Sequence, residues 1–216
     1  TEEERWAYWS KHIWFARYRP EAAMLYRQLY GLVKEKELFV ITTNVDGQFK
    51  KAGFAPNNIF ATQGDYAFFQ PESGSPKELY YNKQWVERAL PAIRDCRIPT
   101  ELIPHTPDGS PVAVNLRCDD TFVEDEHWHL QAERYQQFVE KSYSKRLLLL
   151  EFGVGFNTPA IIRFPFEHMA AQFPQTTLVR FNRDYPQLTS KGIKNYLSFT
   201  ENIHEVVTLL NLLEML

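Results

Sequence analysis

The sequence predicts a doubly wound α/β fold built on a mostly parallel sheet, and three observations carry that expectation. In the last third, strand-like and helix-like runs alternate at short spacing, the pattern that right-handed βαβ units produce. Leu147-Leu148-Leu149-Leu150 is aliphatic throughout, as a strand buried on both faces requires. Polar, glycine-bearing turns follow the runs at 38–42, 59–62 and 146–152, and in such sheets ligands bind beyond the carboxyl ends of strands.

Taken in order, the first eighteen residues crowd Trp6, Tyr8, Trp9, Ile13, Phe15 and Tyr18, most simply a packed core face. The chain is already inside a structured pattern at Thr1, so an upstream part is expected. Ala22, Ala23, Leu25, Leu29 and Val33 recur at helical spacing over 21–34. Leu38 to Thr42 is a short buried strand, and Ile59 to Thr62 a second. Residues 70–114 are rich in proline, with periodic apolar positions only around Trp85–Ile93. They read as a small inserted module, with 1–69 and 115–216 forming the main α/β domain around it. Trp128, Ala132, Tyr135 and Val139 share one helical face behind an acidic first turn. Then follow a strand at 146–152, a helix at 159–172, strands at 177–182 and 196–199, and a helix at 201–216.

Composition narrows the function. At 216 residues the chain suits one domain. With 24 basic against 27 acidic residues the net charge is −3, so no basic face is expected to displace counterions from nucleic-acid phosphates. The longest purely aliphatic run is far shorter than the roughly 20 residues that span a bilayer. No membrane association is expected, and the location is read as cytoplasmic. Two cysteines, Cys96 and Cys118, cannot make a four-cysteine zinc site. His127 and His129 point about 200° apart on a helix and do not converge on one ion. The carboxylates Asp119, Asp120, Glu124, Asp125 and Glu126 suit a solvated, helix-capping turn, and a thiol beside them is not expected to be reactive.

Three turns carry candidate chemistry. Gly153-Val154-Gly155-Phe156-Asn157-Thr158 leads to Pro159. Its glycines permit close backbone approach, Thr158 is placed to cap a helix starting at Pro159, and that helix would aim free N–H groups at a pyrophosphate. In Thr42-Thr43-Asn44-Val45-Asp46-Gly47, Asn44 and Asp46 either orient a ligand amide or ribose, or cap the following helix. Thr62-Gln63-Gly64-Asp65 bends at its glycine and says little alone.

Together these turns are more specific. Asn44-Val45-Asp46-Gly47, then Ala52-Gly53-Phe54 and Thr62-Gln63-Gly64-Asp65, resemble the sirtuin core. Gly153–Pro159 is similar to the sirtuin Gly-Thr-Ser turn, and Phe181-Asn182 to its Ile-Asn ribose contact. The run from Asn115 to Asp125, Asn-Leu-Arg-Cys-Asp-Asp-Thr-Phe-Val-Glu-Asp, resembles the macrodomain-linked class of bacterial sirtuins.

The resemblance implies a Rossmann-like fold, NAD, and protein ADP-ribosylation. It implies an acceptor such as a lipoylated glycine-cleavage-H-like protein, with a macrodomain ADP-ribosyl hydrolase reversing the mark. It also implies roles: Asn44 at the nicotinamide ribose, Asp46 at the nicotinamide amide with Thr42 and Thr43 beside it, and Gln63 orienting ribose or acceptor. Gly153, Val154, Gly155, Asn157 and Thr158 would approach the adenosine side, Asn182 its ribose, and Phe122 and Val123 would line an acceptor groove.

Three departures qualify it. Gln63 stands where sirtuin deacylases have a catalytic histidine, and a carboxamide accepts no proton at neutral pH. Losing a general base lowers rates by about 10²–10⁴-fold, which disfavours deacylation and leaves direct ADP-ribosyl transfer. The sirtuin zinc cysteines are missing: the expected second pair falls on His105-Thr106-Pro107-Asp108-Gly109, so zinc is not expected. The Gly-Ala-Gly phosphate loop is not present in residues 1–40. A non-catalytic NAD or ADP-ribose sensor, or a weak NAD-dependent deacylase, are the alternative functions.

Overall fold

The residues that open the chain form a capping box: the Thr1 hydroxyl accepts the Glu4 N–H at 3.3 Å, and the Glu4 carboxylate returns to the Thr1 amine. This is seen in a computed structural model that describes residues 1–19 and 21–214. The elements are α1 (Glu2–Ile13), a π-helical turn (Trp14–Tyr18), α2 (Met24–Val33), β1 (Val40–Thr42) and α3 (Gln48–Lys51). Then come β2 (Ile59–Ala61), β3 (Gly64–Pro71), β4 (Tyr80–Tyr81), α4 (Lys83–Ala92), β5 (Val112–Leu116) and α5 (Glu126–Ser142). Last are β6 (Leu147–Phe152), α6 (Arg163–Gln172), β7 (Thr176–Phe181), β8 (Tyr196–Phe199) and α7 (Ile203–Glu214). The backbone divides into two compact units, one of residues 1–23, 43–53 and 61–131, the other of 24–42, 54–60 and 132 onward.

In the first unit, Trp6, Ala7, Ser10 and Ile13 recur at helical spacing and give α1 one buried face. Trp6 meets Phe69 of β3 and Trp85 of α4 edge-on at 5.2 and 5.5 Å, and those two rings meet at 5.1 Å. Each such pair adds about 0.5–1.5 kcal/mol beyond its burial. Tyr8 and Phe15, expected in the core, are exposed. The sheet runs β4-β3-β5 and is antiparallel, the minority direction in a fold expected to be mostly parallel. Residues 70–114 lie wholly inside this unit. Val112 and Val114 share the core with α1 rather than forming a separate one.

In the second unit, β6, β7 and β8 pair in parallel, with Leu149 opposite Leu178 and Glu151 opposite Arg180. α6 supplies Phe166, Met169 and Ala170 to the core under Leu149 and Leu178. β1 pairs with β2. On α5, Tyr135 packs against Phe39 and Phe60, and burial pushes its phenol up to about 12. The α/β class with a parallel sheet holds here.

The start of α6 differs from expectation: the helix begins at Arg163, and Thr158 and Pro159 lie in the preceding turn. Pro165 explains the shift. Inside a helix begun at Pro159, its ring would clash with the Ile161 carbonyl four residues back. A start at Arg163 puts it in the first turn, where no N–H donor is needed. The free N–H groups once expected to follow Thr158 are therefore not in a regular helix.

Candidate functional site

In the first unit, the turn between β2 and β3 carries Gln63 in a frame fixed on all sides. The Arg117 N–H donates to the Gln63 carbonyl at 3.0 Å. The Thr62 carbonyl accepts from Arg117 Nε at 3.4 Å and Trp128 Nε1 at 3.3 Å. The Arg117 guanidinium pairs with Glu124 and lies 4.2 Å from the Phe122 ring centroid. Gly64 has φ +101°, and a Cβ there would collide with the Asn115 carbonyl, so only glycine fits. Within this frame the half-buried Gln63 carboxamide makes no hydrogen bond to another described residue.

Beyond Gly64 the ladder breaks. β3 aligns Gly64 with Leu116 and Phe69 with Val114, so extra residues bow out of β3 as a bulge. Three of its donors find other partners. The Asp65 N–H goes to Asn115 Oδ1 at 3.1 Å, the Tyr66 N–H to the Val45 carbonyl at 3.0 Å, and the Ala67 N–H to Asp65 Oδ1 at 2.7 Å. The Tyr66 bond joins the bulge to the turn that bears exposed Asn44 and half-buried Thr43. Asn44 and Gln63 thus lie on two hydrogen-bonded turns of one unit. Asp46 accepts the Gln48 N–H at 3.0 Å at the start of α3, the capping use of that residue. Phe122 and Val123, expected in an acceptor groove, are 5% and 1% exposed. Phe122 lies beneath Arg117, so these side chains pack inside rather than line an open surface.

In the second unit, buried Thr42 closes β1, and the turn after β6 holds exposed Gly153, Asn157 and Thr158. Gly153 has φ +65°, and a Cβ on Gly153 or Gly155 would meet nothing within 4 Å, so the backbone lies open on that side. Asn182, expected at a ribose, has its carboxamide in use. Nδ2 donates to the Val154 carbonyl at 2.8 Å, and Oδ1 accepts the Asp184 and Tyr185 N–H groups at 3.1 and 2.9 Å. It braces the turn instead.

Below this turn lies an ionic network that sequence reasoning missed. Glu151, Arg163, Glu167 and Arg180 are each at most 1% exposed. Arg180 forks onto Glu151 at 2.6 and 3.0 Å and reaches Glu167 at 2.9 Å. Arg163 donates to the carbonyls of Val154, Tyr185 and Gln187, and Glu167 accepts from Thr189 and Ser190. Two cations and two anions cancel, and Arg163, Arg180 and Glu167 also hold parts of the loops at 153–154 and 185–190. The available signal was a lone charge at the same place in two apolar strands, Glu151-Phe152-Gly153 and Arg180-Phe181-Asn182.

Burial would raise the Glu167 pKa, but hydrogen bonds from Thr189, Arg180 and Ser190 outweigh it and hold the carboxyl below its ordinary value of 4.5. A depressed carboxyl stabilises the fold above its unfolded pKa, and that contribution fades as pH falls through the folded value. Thermal melts should therefore show stability falling below about pH 4.5. Glu167→Gln should melt lower at neutral pH and depend less on acid; an unchanged acid slope would refute this.

Among the described residues no three His, Cys, Asp or Glu side chains converge as a metal site requires, and no helix is long and apolar enough to cross a membrane. Asp108, in the expected zinc-pair position, instead accepts from Thr106 and Ser110.

Nearly the whole backbone superposes on solved structures of known proteins. A Sir2 homologue mutant in complex with ADP-ribose matches with TM-score 0.62, covering 97% of this chain and 72% of that one at 12% identity. A Sir2 homologue mutant with 2′-O-acetyl ADP-ribose matches at TM-score 0.61, covering 96% and 72% at 14% identity. The chain has the sirtuin fold. Within that fold, sequence similarity points to one kind of relative. A Staphylococcus aureus protein named protein ADP-ribosyltransferase is 29% identical over 208 residues, 95% of this chain and 66% of its own length. A Fusarium oxysporum f. sp. cubense protein named "Probable bifunctional ADP-ribose hydrolase/ADP-ribosyltransferase" is 25% identical over 183 residues, 78% of this chain and 30% of its own. The chain thus spans about two-thirds of the first relative and under a third of the second. No family model matches it.

Proposed function

We propose that this chain is the catalytic region of an NAD-dependent protein ADP-ribosyltransferase with the sirtuin fold. The observation that carries the reading is Gln63, a carboxamide with no hydrogen bond among the described residues, on a turn hydrogen-bonded through the bulge to the turn of Asn44. A carboxamide offers a dipole rather than a titrating base. That suits holding a ribose and an acceptor in line, and does not suit proton abstraction from a ribose hydroxyl. In the transfer, the bond from the ribose anomeric carbon to the nicotinamide nitrogen breaks, and its electron pair leaves on nicotinamide. An acceptor oxygen or nitrogen forms the new bond to that carbon, and its proton passes to water.

Asn44 would hold the nicotinamide ribose, with Thr42, Thr43 and Asp46 beside the amide, and Gln63 would orient the acceptor. The open backbone of Gly153, Val154 and Gly155, with Asn157 and Thr158, would meet the adenosine half. The sirtuin resemblance supports a lipoylated glycine-cleavage-H-like acceptor, and the name of the Fusarium relative supports pairing with an ADP-ribose hydrolase.

The test is incubation with adenine-labelled NAD and lipoylated glycine-cleavage-H-like protein. Label on the acceptor, matched by released nicotinamide, is the expected result. NAD binding without nicotinamide release would make the chain a sensor. Deacylation of an acetyl-peptide without transfer would make it a deacylase. Either outcome overturns the proposal.

A further inference from the structure

The turns that carry Asn44 and Gln63 are linked by one cation that belongs to neither. Arg17 lies in the π-helical turn after α1, its side chain 13% exposed. Its guanidinium forks onto Asp65, Nε to Oδ1 at 2.7 Å and Nη2 to Oδ2 at 3.0 Å. Asp65 is two residues from Gln63, and its Oδ1 also accepts the Ala67 N–H that the bulge took out of the ladder. The other face of the guanidinium lies against Gly47, three residues from Asn44. A Cβ at Gly47 would stand 2.6 Å from Arg17 Cζ, and Gly47 has φ +68°. The Arg17 carbonyl accepts the Lys51 ammonium, from the end of α3.

The bulge carbonyls are anchored from the same direction. The Tyr18 hydroxyl donates to Asn82 Oδ1 at 2.6 Å, while Asn82 donates to the Tyr66 and Ala67 carbonyls at 2.9 and 3.0 Å. A planar fork held by a carboxylate is a rigid spacer, because both of its hydrogen bonds must be kept together.

We propose that Arg17 is a positioning residue that fixes the spacing of the Asn44 and Gln63 turns through Asp65 and Gly47. This rests on the ADP-ribosyltransferase reading for its effect on rate, though not for its effect on the two turns. A shift of about 1 Å in a reacting constellation lowers rates by about 100-fold. Loss of the fork should therefore reduce kcat at least tenfold, an order-of-magnitude expectation on the same ground. The KM for NAD should change little, because a spacer of the two turns acts on the alignment of the reacting groups.

Two readouts on the full chain test it. In Arg17→Met, hydrogen exchange at the Gln48, Tyr66 and Ala67 amides should quicken by about tenfold or more, while Leu149 and Leu178 keep their protection. Transfer kinetics should show the fall in kcat with KM nearly constant, and Arg17→Lys, with charge but no fork, should lie between. Asp65→Asn keeps an acceptor for the Ala67 N–H and removes the ion pair, so it gives the same readouts if Arg17→Met does not fold. A folded variant with parental exchange and parental kcat overturns the proposal. If the parent chain transfers nothing, the functional reading falls, and the exchange comparison alone decides the role of Arg17.

Discussion

Replacing Gln63 with alanine should lower labelled ADP-ribose transfer by about 10²–10³-fold, the usual consequence of deleting one preorganised dipole at a reacting centre. The melting temperature should hardly move. The expectation is sharp because the Gln63 backbone is fixed by Arg117, and Gly64 by close packing on Asn115, whereas the carboxamide supports nothing else among the described residues. A structural glutamine would show the reverse, lost stability with transfer retained. Gln63→His is the complementary variant: it restores a group that titrates near neutral pH, and a rise in deacylation there would reveal a dormant base-dependent route. Full transfer by Gln63→Ala would remove this residue from the mechanism.

Arg180→Met should be the most destabilising single change in the second unit. It leaves Glu151 and Glu167, both at most 1% exposed, with only Arg163 for charge compensation. Breaking a buried pair from one side typically costs about 3–5 kcal/mol, which for a chain of this length lowers the melting temperature by roughly 10 °C. Buried ion pairs can often be exchanged for apolar residues at no net loss, but this network also holds backbone groups of Val154, Tyr185, Gln187, Thr189 and Ser190. An apolar replacement of all four charges would leave those groups unpaired. Scanning calorimetry of the single variant checks the expectation; a melting temperature within 2–3 °C of the parent, about 1 kcal/mol, would contradict it.

What could be read from sequence followed how local the cause was. The strand at 147–152 announces itself by an aliphatic run, and α5 by one apolar face behind an acidic turn. The antiparallel β4-β3-β5 sheet carries no such mark: β3 buries Ala67, Phe69 and also polar Gln70, so its alternation breaks off within the strand. Gly64 and the prolines after it drew attention to a loop-rich module instead. The start of α6 is set by two prolines that point different ways: Pro159 suits a helix start, and Pro165 moves it to Arg163. At the site, Asn44 and Gln63 were found through neighbouring motif residues. Arg17 and Asp65 are 48 positions apart in the chain, and although Asp65 closes a motif, nothing local marks Arg17 as its partner.

The π-helical turn at Trp14–Tyr18 has its own consequence for how this segment can vary. The Arg19 N–H reaches back five residues to the Trp14 carbonyl, so one residue more than an α-turn needs is accommodated there. Removing one residue from 14–18 would restore ordinary α-helical winding and look harmless locally. It would also re-aim the side chains inside the turn, loosening the Arg17 fork onto Asp65 and the Tyr18 bond to Asn82. Length is a fixed quantity of this segment alongside core-packed Trp14: an exchange at exposed Phe15 is tolerable, and a single-codon deletion is not.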